Sequence, residues 1–98
     1  MAKRLIWSEN SIQELNSILS FWNENNQSTS YSSKLLKRIL FVLELVCENN
    51  YLGKPTSKQN VRLTIIDNFL VYYEIMEEDI FVLTIFDGRR NPKDKSLK

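Results

Sequence analysis

The chain has 98 residues, 43% apolar and 11% aromatic, with 13 Lys and Arg against 12 Asp and Glu and no histidine. That length holds one small domain (residues 1–98) but not two separate cores, and with two Gly and two Pro the composition is that of a globular chain rather than a disordered one. A net charge of +1 does not mark a nucleic-acid binder, and no stretch approaches the roughly 18–20 uninterrupted apolar residues of a membrane span.

The opening MAKRLIW carries two positive charges and a short apolar run with no small-residue cleavage site after it, so no signal peptide is expected. Lys3 to Trp7 reads as a first strand. Ser8 is a candidate cap for the helix that follows, with Trp7 and Ile12 at the spacing of a hydrophobic staple; Ser11 with Glu14 is the competing cap. Ile12, Leu15, Ile18, Leu19 and Trp22 recur at steps of three and four and mark one helical face, which the asparagine-rich segment 23–30 ends. A second helix is predicted from about Ser30 or Ser32 to Asn49. Leu35, Leu36, Ile39, Leu40, Val42, Leu43, Val46 and Cys47 give it a broad apolar face, with Lys34, Lys37, Arg38, Glu44 and Glu48 around the rest. Cys47, alone, cannot form an internal disulfide, which fits a reducing cytosol, and its apolar setting predicts a small core residue. Such stripes are core, and neither a cofactor nor a metal is expected.

Residues 50–58 read as irregular, because Gly53 and Pro55 exclude regular structure. Val61, Leu63 and Ile65 then alternate with Arg62 and Thr64, the pattern of a half-buried strand. Asp67-Asn68 is a two-residue hairpin turn of the kind that tolerates positive φ, followed by a strand from Phe69 to Met76 and a turn at Glu77-Glu78. Tyr72 and Tyr73 face opposite ways on that strand, so at least one belongs to the core. The run from Ile80 to Phe86, bounded by Asp79 and by Asp87-Gly88, is β-branched and aromatic throughout and predicts a strand central in the sheet and buried on both faces. The order is β-α-α-β-β-β: a helical hairpin on one face of a mostly antiparallel sheet, an α+β fold.

Charge is distributed unevenly. From Asn49 to Ile66 the only charged residues are Lys54, Lys58 and Arg62, and from Gly88 onward Arg89, Arg90, Lys93, Lys95 and Lys98 face one acid, Asp94. Such local patches attract phosphates or acidic partners. Residues 91–98 form a candidate flexible basic tail.

The order of elements, together with IWSENSIQELNSI, NVRLTIIDNFLVYYEI and IFVLTIFDGRRNP, resembles the RelE/ParE superfamily of toxins from bacterial type II toxin–antitoxin modules over about residues 3–92. The resemblance implies a cytoplasmic toxin held inactive by a cognate antitoxin, acidic and partly disordered when free. It also implies one of two activities, poisoning of DNA gyrase in the ParE-like branch or ribosome-dependent mRNA cleavage in the RelE-like branch. For the second, Arg62 and Arg89 or Arg90 sit where that branch carries phosphate-binding arginines, and Lys54 and Lys58 resemble its loop lysines. Cleavage also requires proton transfer at the 2′-hydroxyl and the leaving 5′-oxygen. No histidine is present and no tyrosine follows Tyr73; Lys93, Lys95 and Ser96 occupy the tail instead. The incomplete acid–base set favours a toxin that acts by binding, gyrase first, with Lys54, Lys58, Arg62, Arg89, Arg90, Lys93 and Lys95 as candidate contacts. A protein-interaction domain of the same fold without toxicity is the third reading. In place of any of these roles, Arg62, Arg89 and Arg90 could pair with acids such as Glu74 and Asp87.

Overall fold

The computed structural model describes residues 2–26 and 30–89. In chain order the elements are β1 (Arg4–Trp7), α1 (Glu9–Asn26), α2 (Ser30–Glu48), β2 (Lys54–Pro55), β3 (Val61–Ile66), β4 (Phe69–Ile75) and β5 (Asp79–Asp87). The strands form one sheet in the order β1-β5-β4-β3-β2, antiparallel except where β1 runs parallel to β5. Both helices lie on one face, and the α+β architecture is the one the sequence predicts.

The α2 stripe supplies the centre of the core. Leu35, Ile39, Leu43 and Val46 recur at helical steps, are wholly buried, and meet Ile66, Phe69, Val71, Tyr73, Ile80, Val82 and Ile85 of the sheet. Each such side chain contributes about 1.5–3 kcal/mol by leaving water. Cys47 is buried beside Tyr73 and Ile80. The α1 stripe is more peripheral: Leu15, Ile18, Leu19 and Trp22 are half-buried, and Ile12 remains 44% exposed. Ser8 is the cap of α1. Its Oγ accepts the Ser11 N–H at 3.0 Å and donates to the Leu83 carbonyl at 3.1 Å, tying the helix start to β5. At the other end Trp22 meets Tyr31 at 4.8 Å between ring centroids, and Ser32 Oγ donates to Asn23 Oδ1.

Several strand expectations change. Residues 54–55 are a short edge strand, Lys54 opposite Leu63 and Pro55 opposite Arg62, inside the segment expected to be irregular. An edge position tolerates a residue with no N–H to donate. In β3 the facing is the reverse of what simple alternation suggests. Arg62, Thr64 and Ile66 share the helix side with their partners Tyr73, Val71 and Phe69, while Leu63 and Ile65 turn to the other face, where Ile65 is 52% exposed. β5 is paired on both sides as expected, but only Ile80, Val82 and Ile85 are buried; Phe81, Leu83 and Phe86 are half-buried, so the strand is not buried on both faces. An irregularity opposite Tyr72 and Tyr73 shifts the inward set from Ile80 and Val82 to Ile85. Both tyrosines are buried: Tyr73 in the core, Tyr72 on the opposite face, stacked on Phe86. The β3–β4 turn holds Asp67 at φ 57, and its carboxylate accepts two bonds from Arg38 of α2, at 2.7 and 3.0 Å.

Candidate contact site at the end of helix α2

Residues 49–55 carry the chain from α2 into β2, and side chains fix almost every step. The Asn50 side-chain amide donates to the Val46 and Cys47 carbonyls at 2.8 and 3.1 Å, closing a helix end whose last carbonyls have no partner within the helix. Tyr73 rises from β4 beneath the loop. Its hydroxyl donates to the Asn50 carbonyl and accepts the Gly53 N–H, both at 2.9 Å. Burial pushes the Tyr73 phenol above its ordinary pKa, an effect that the Gly53 N–H and the Arg62 charge partly offset, so it works as a neutral donor and acceptor. Gly53 is buried, and a Cβ there would lie 2.7 Å from the Leu63 carbonyl oxygen and 2.8 Å from the Tyr73 hydroxyl. Only glycine fits this close approach of two backbones.

Arg62, paired with Tyr73 on the same face, grips the loop from the other side. Its Nη1 donates to the Gly53 carbonyl at 2.5 Å and lies 3.4 Å from the Tyr51 carbonyl, and the guanidinium carbon sits 4.8 Å from the centroid of the Tyr51 ring. Among the described residues the charge is thus met by two carbonyls and a ring face rather than by an acid. Beyond it the loop presents Tyr51, 68% exposed, and Leu52, 46% exposed.

The other candidate residues do not converge on Arg62. Lys54 is exposed and lies opposite Leu63, so the pleat directs it to the face away from Arg62. Lys58 is exposed in the turn between β2 and β3, where its carbonyl accepts the Val61 N–H at 3.2 Å and the Thr56 hydroxyl at 3.2 Å. Arg89 stands at the far end of the sheet. Asp87 is opposite Phe69 whereas Arg62 is opposite Tyr73, a separation of about 13 Å along the strands at about 3.3 Å per residue. The Arg89 backbone N–H donates to Asp87 Oδ1 at 2.9 Å, and its guanidinium is 3.6 Å from the same oxygen, the acid pairing weighed above. Arg90, Lys93 and Lys95 lie outside the described residues. Reading the sequence alone misses Tyr51, Gly53 and Tyr73. The available signal was Ile66, an apolar residue of the same strand parity as Arg62, which places Arg62 on the helix side.

A second polar site lies where β1 stops. There a groove of about 460 Å³ opens between α1 and the uncovered edge of β5, lined by Asn10, Gln13, Glu14, Ser17, Ile85 and Asp87 among others. Glu14 Oε1 accepts the Ile85 N–H at 3.0 Å and the Thr84 hydroxyl at 2.7 Å.

The site sits on a helical hairpin that covers a five-stranded sheet with a parallel first strand. The fold matches that of a solved structure described as the chromosomal ParDE TA system from P. aeruginosa, with a TM-score of 0.73 and 17% identity over 88% of this chain and 96% of that one. Residues 5–92 match the sequence model of the ParE toxin of type II toxin–antitoxin system, parDE, and the chain belongs to that family. No curated protein matches it in sequence. It is therefore a type II toxin of the ParE family.

Proposed function

We propose that this toxin arrests growth by binding an essential macromolecular target, DNA gyrase ahead of the ribosome, and that it performs no RNA chemistry. The observation that carries this reading is the engagement of Arg62. Cleavage of a phosphodiester uses arginines as free forks on phosphate oxygens, with further cations and proton carriers gathered at the same phosphate. Here Nη1 of Arg62 is turned to the Gly53 and Tyr51 carbonyls, Lys54 is on the opposite face, and Arg89 is at the other end of the sheet. The absence of histidine from the chain points the same way, since it removes the side chain best suited to proton transfer near neutral pH. A binding poison requires a contact surface only, and the loop after α2 supplies one. Family membership supports a cognate antitoxin as the second partner, acidic and partly disordered when free, and a cytoplasmic location for both.

Controlled expression in a bacterial host, with mRNA ends and DNA breaks assayed from one culture, tests the reading. The expected result is growth arrest with DNA breaks and intact mRNA. Cleavage of mRNA at fixed codon positions would overturn it in favour of a ribosome-dependent nuclease using Lys54, Lys58, Arg62 and Arg89 or Arg90. Normal growth with folded protein would leave a non-toxic interaction domain.

A further inference from the structure

We propose that the basic segment 90–98 of this chain turns back across the mouth of the groove between α1 and β5, where Glu14 and Asp87 hold its lysines. The inference goes beyond the binding reading above and does not depend on which target the toxin meets.

The groove is an acidic site on an open strand edge. β1 covers β5 only as far as Val82, opposite Trp7, so among the described residues Leu83 to Asp87 have no strand on that side. An uncovered edge is a template for added chain, and proteins ordinarily cover it. The two titratable residues that line the groove, Glu14 and Asp87, are both acidic. Helix α1, which forms the facing wall, carries Glu9, Glu14 and Glu24 and no basic residue. Each lining carboxylate has one oxygen engaged: Glu14 Oε1 with the Ile85 N–H and the Thr84 hydroxyl, Asp87 Oδ1 with the Arg89 N–H. The second oxygen of each has no partner among the described residues. The Asp87 side chain is only 9% exposed, so a cation brought to it is screened less than one at an open surface.

Reach and charge identify the occupant. Nine residues follow Arg89, with Arg90, Lys93, Lys95 and Lys98 against one acid, Asp94. The last described residue already addresses the groove's acid, since the Arg89 N–H and guanidinium lie 2.9 and 3.6 Å from Asp87 Oδ1. Glu14 bonds Ile85, two residues back along the strand from Asp87 and so about 7 Å away. Nine residues of extended chain span up to about 30 Å, ample for the return. The groove borders an apolar pocket of about 110 Å³ between Phe21, Trp22 and Phe69, and the segment carries Pro92 and Leu97 to meet it. An acidic partner is repelled here, whereas a basic segment tethered at the groove's end arrives at high effective concentration. Lys93 and Lys95 are then held in cis, and any partner that uses them has to compete with Glu14 and Asp87.

The test attaches a nitroxide through Ser96→Cys in the full chain, Cys47 being buried, and reads paramagnetic relaxation of backbone amides by NMR. Gln13 and Ser17 line the groove on one side of β5, while Asn68 and Leu70 lie on its other side, at the β3–β4 turn and on β4. We expect relaxation at Gln13 and Ser17 to exceed that at Asn68 and Leu70 about threefold, and the excess to vanish in about 1 M salt, where the screening length is about 3 Å. Glu14→Gln with Asp87→Asn, which keeps the acceptors and removes the charges, should abolish the excess as well. So should Lys93→Glu with Lys95→Glu, a pair outside the packed core that tests the same contact if the acid variants unfold. Equal relaxation on both sides of β5 would overturn the inference, as would an excess that survives both high salt and the lysine variants. None of these readouts depends on growth arrest, so the inference and the proposed function fail separately.

Discussion

Two corners of the sheet face the same difficulty and resolve it with opposite charges. At the β2–β3 corner the loop leaving α2 has carbonyls that no strand reaches, and Arg62 donates to those of Gly53 and Tyr51. At the β5 corner β1 ends at Trp7, and the strand edge beyond it exposes an N–H that Glu14 of α1 accepts. Backbone groups away from water must find partners, and here charged side chains supply them, a cation reading carbonyls and a carboxylate reading an N–H. The difference lies in what surrounds each. The Arg62 corner is closed from below by the buried Tyr73 and Gly53, whereas the Glu14 corner opens on a groove that water can enter. A charge in a functional family can therefore be engaged in local architecture, and its partners, not its sign, reveal which.

The comparison predicts that damage at the closed corner costs more. Gly53→Ala places a methyl against the Leu63 carbonyl, which cannot step aside, and should cost about 3 kcal/mol in a denaturant titration. Tyr73→Phe leaves the Gly53 N–H buried with no acceptor and should cost about 2 kcal/mol. That variant also separates the two corners by pH. The folded-state pKa of Tyr73 is raised above its ordinary value of 10.0, so its contribution is fully present below about pH 10 and is lost as pH rises through the folded value. Cys47, raised above 9.0 by burial and then by Glu44 and Glu48, acts in the same direction. Wild-type stability should accordingly fall on the alkaline side, and Tyr73→Phe should flatten that fall; an unchanged slope would remove Tyr73 as its source. Glu14→Ala should cost only about 1 kcal/mol, since the freed Ile85 N–H can take a water from the groove, and Glu14→Gln less, since an amide oxygen still accepts. The two corners share no bonding partner, so Tyr73→Phe and Glu14→Ala should add within about 0.5 kcal/mol. A larger coupling would show that the corners are one cooperative unit.

Most of the fold was legible in the chain because its signals are periodic. Leu35, Ile39, Leu43 and Val46 repeat at helical steps, and Asp67-Asn68 sits between two β-branched and aromatic runs, so the helical hairpin and the β3–β4 turn follow directly. The edge strand at Lys54–Pro55 was not legible. Two residues carry no period, and their neighbours Gly53 and Pro55 are read as breakers. The site was legible only as a list of basic residues. Whether Arg62 faces the helices or turns away depends on pairing across to Tyr73, and one residue of register reverses it. Glu14 illustrates the same point. Its spacing from Ser11 suggests a helix cap, while its carboxylate reaches a strand seventy-one residues away in sequence.

The parallel pairing of β1 with β5 also sets when this molecule can exist. Arg4 bonds to Asp79 across 75 residues of chain, and among the described residues β1 has no other strand beside it. During synthesis at about 5–20 residues per second, both helices leave the ribosome well before β5, the last strand of the sheet they cover. The hairpin must wait as an unpacked amphipathic segment, and the first strand as an unpaired one, until β5 emerges. Assembly then closes almost the whole chain in one event. The parts made first are thus among the last to be secured, and the order of synthesis runs opposite to the order in which the sheet can close.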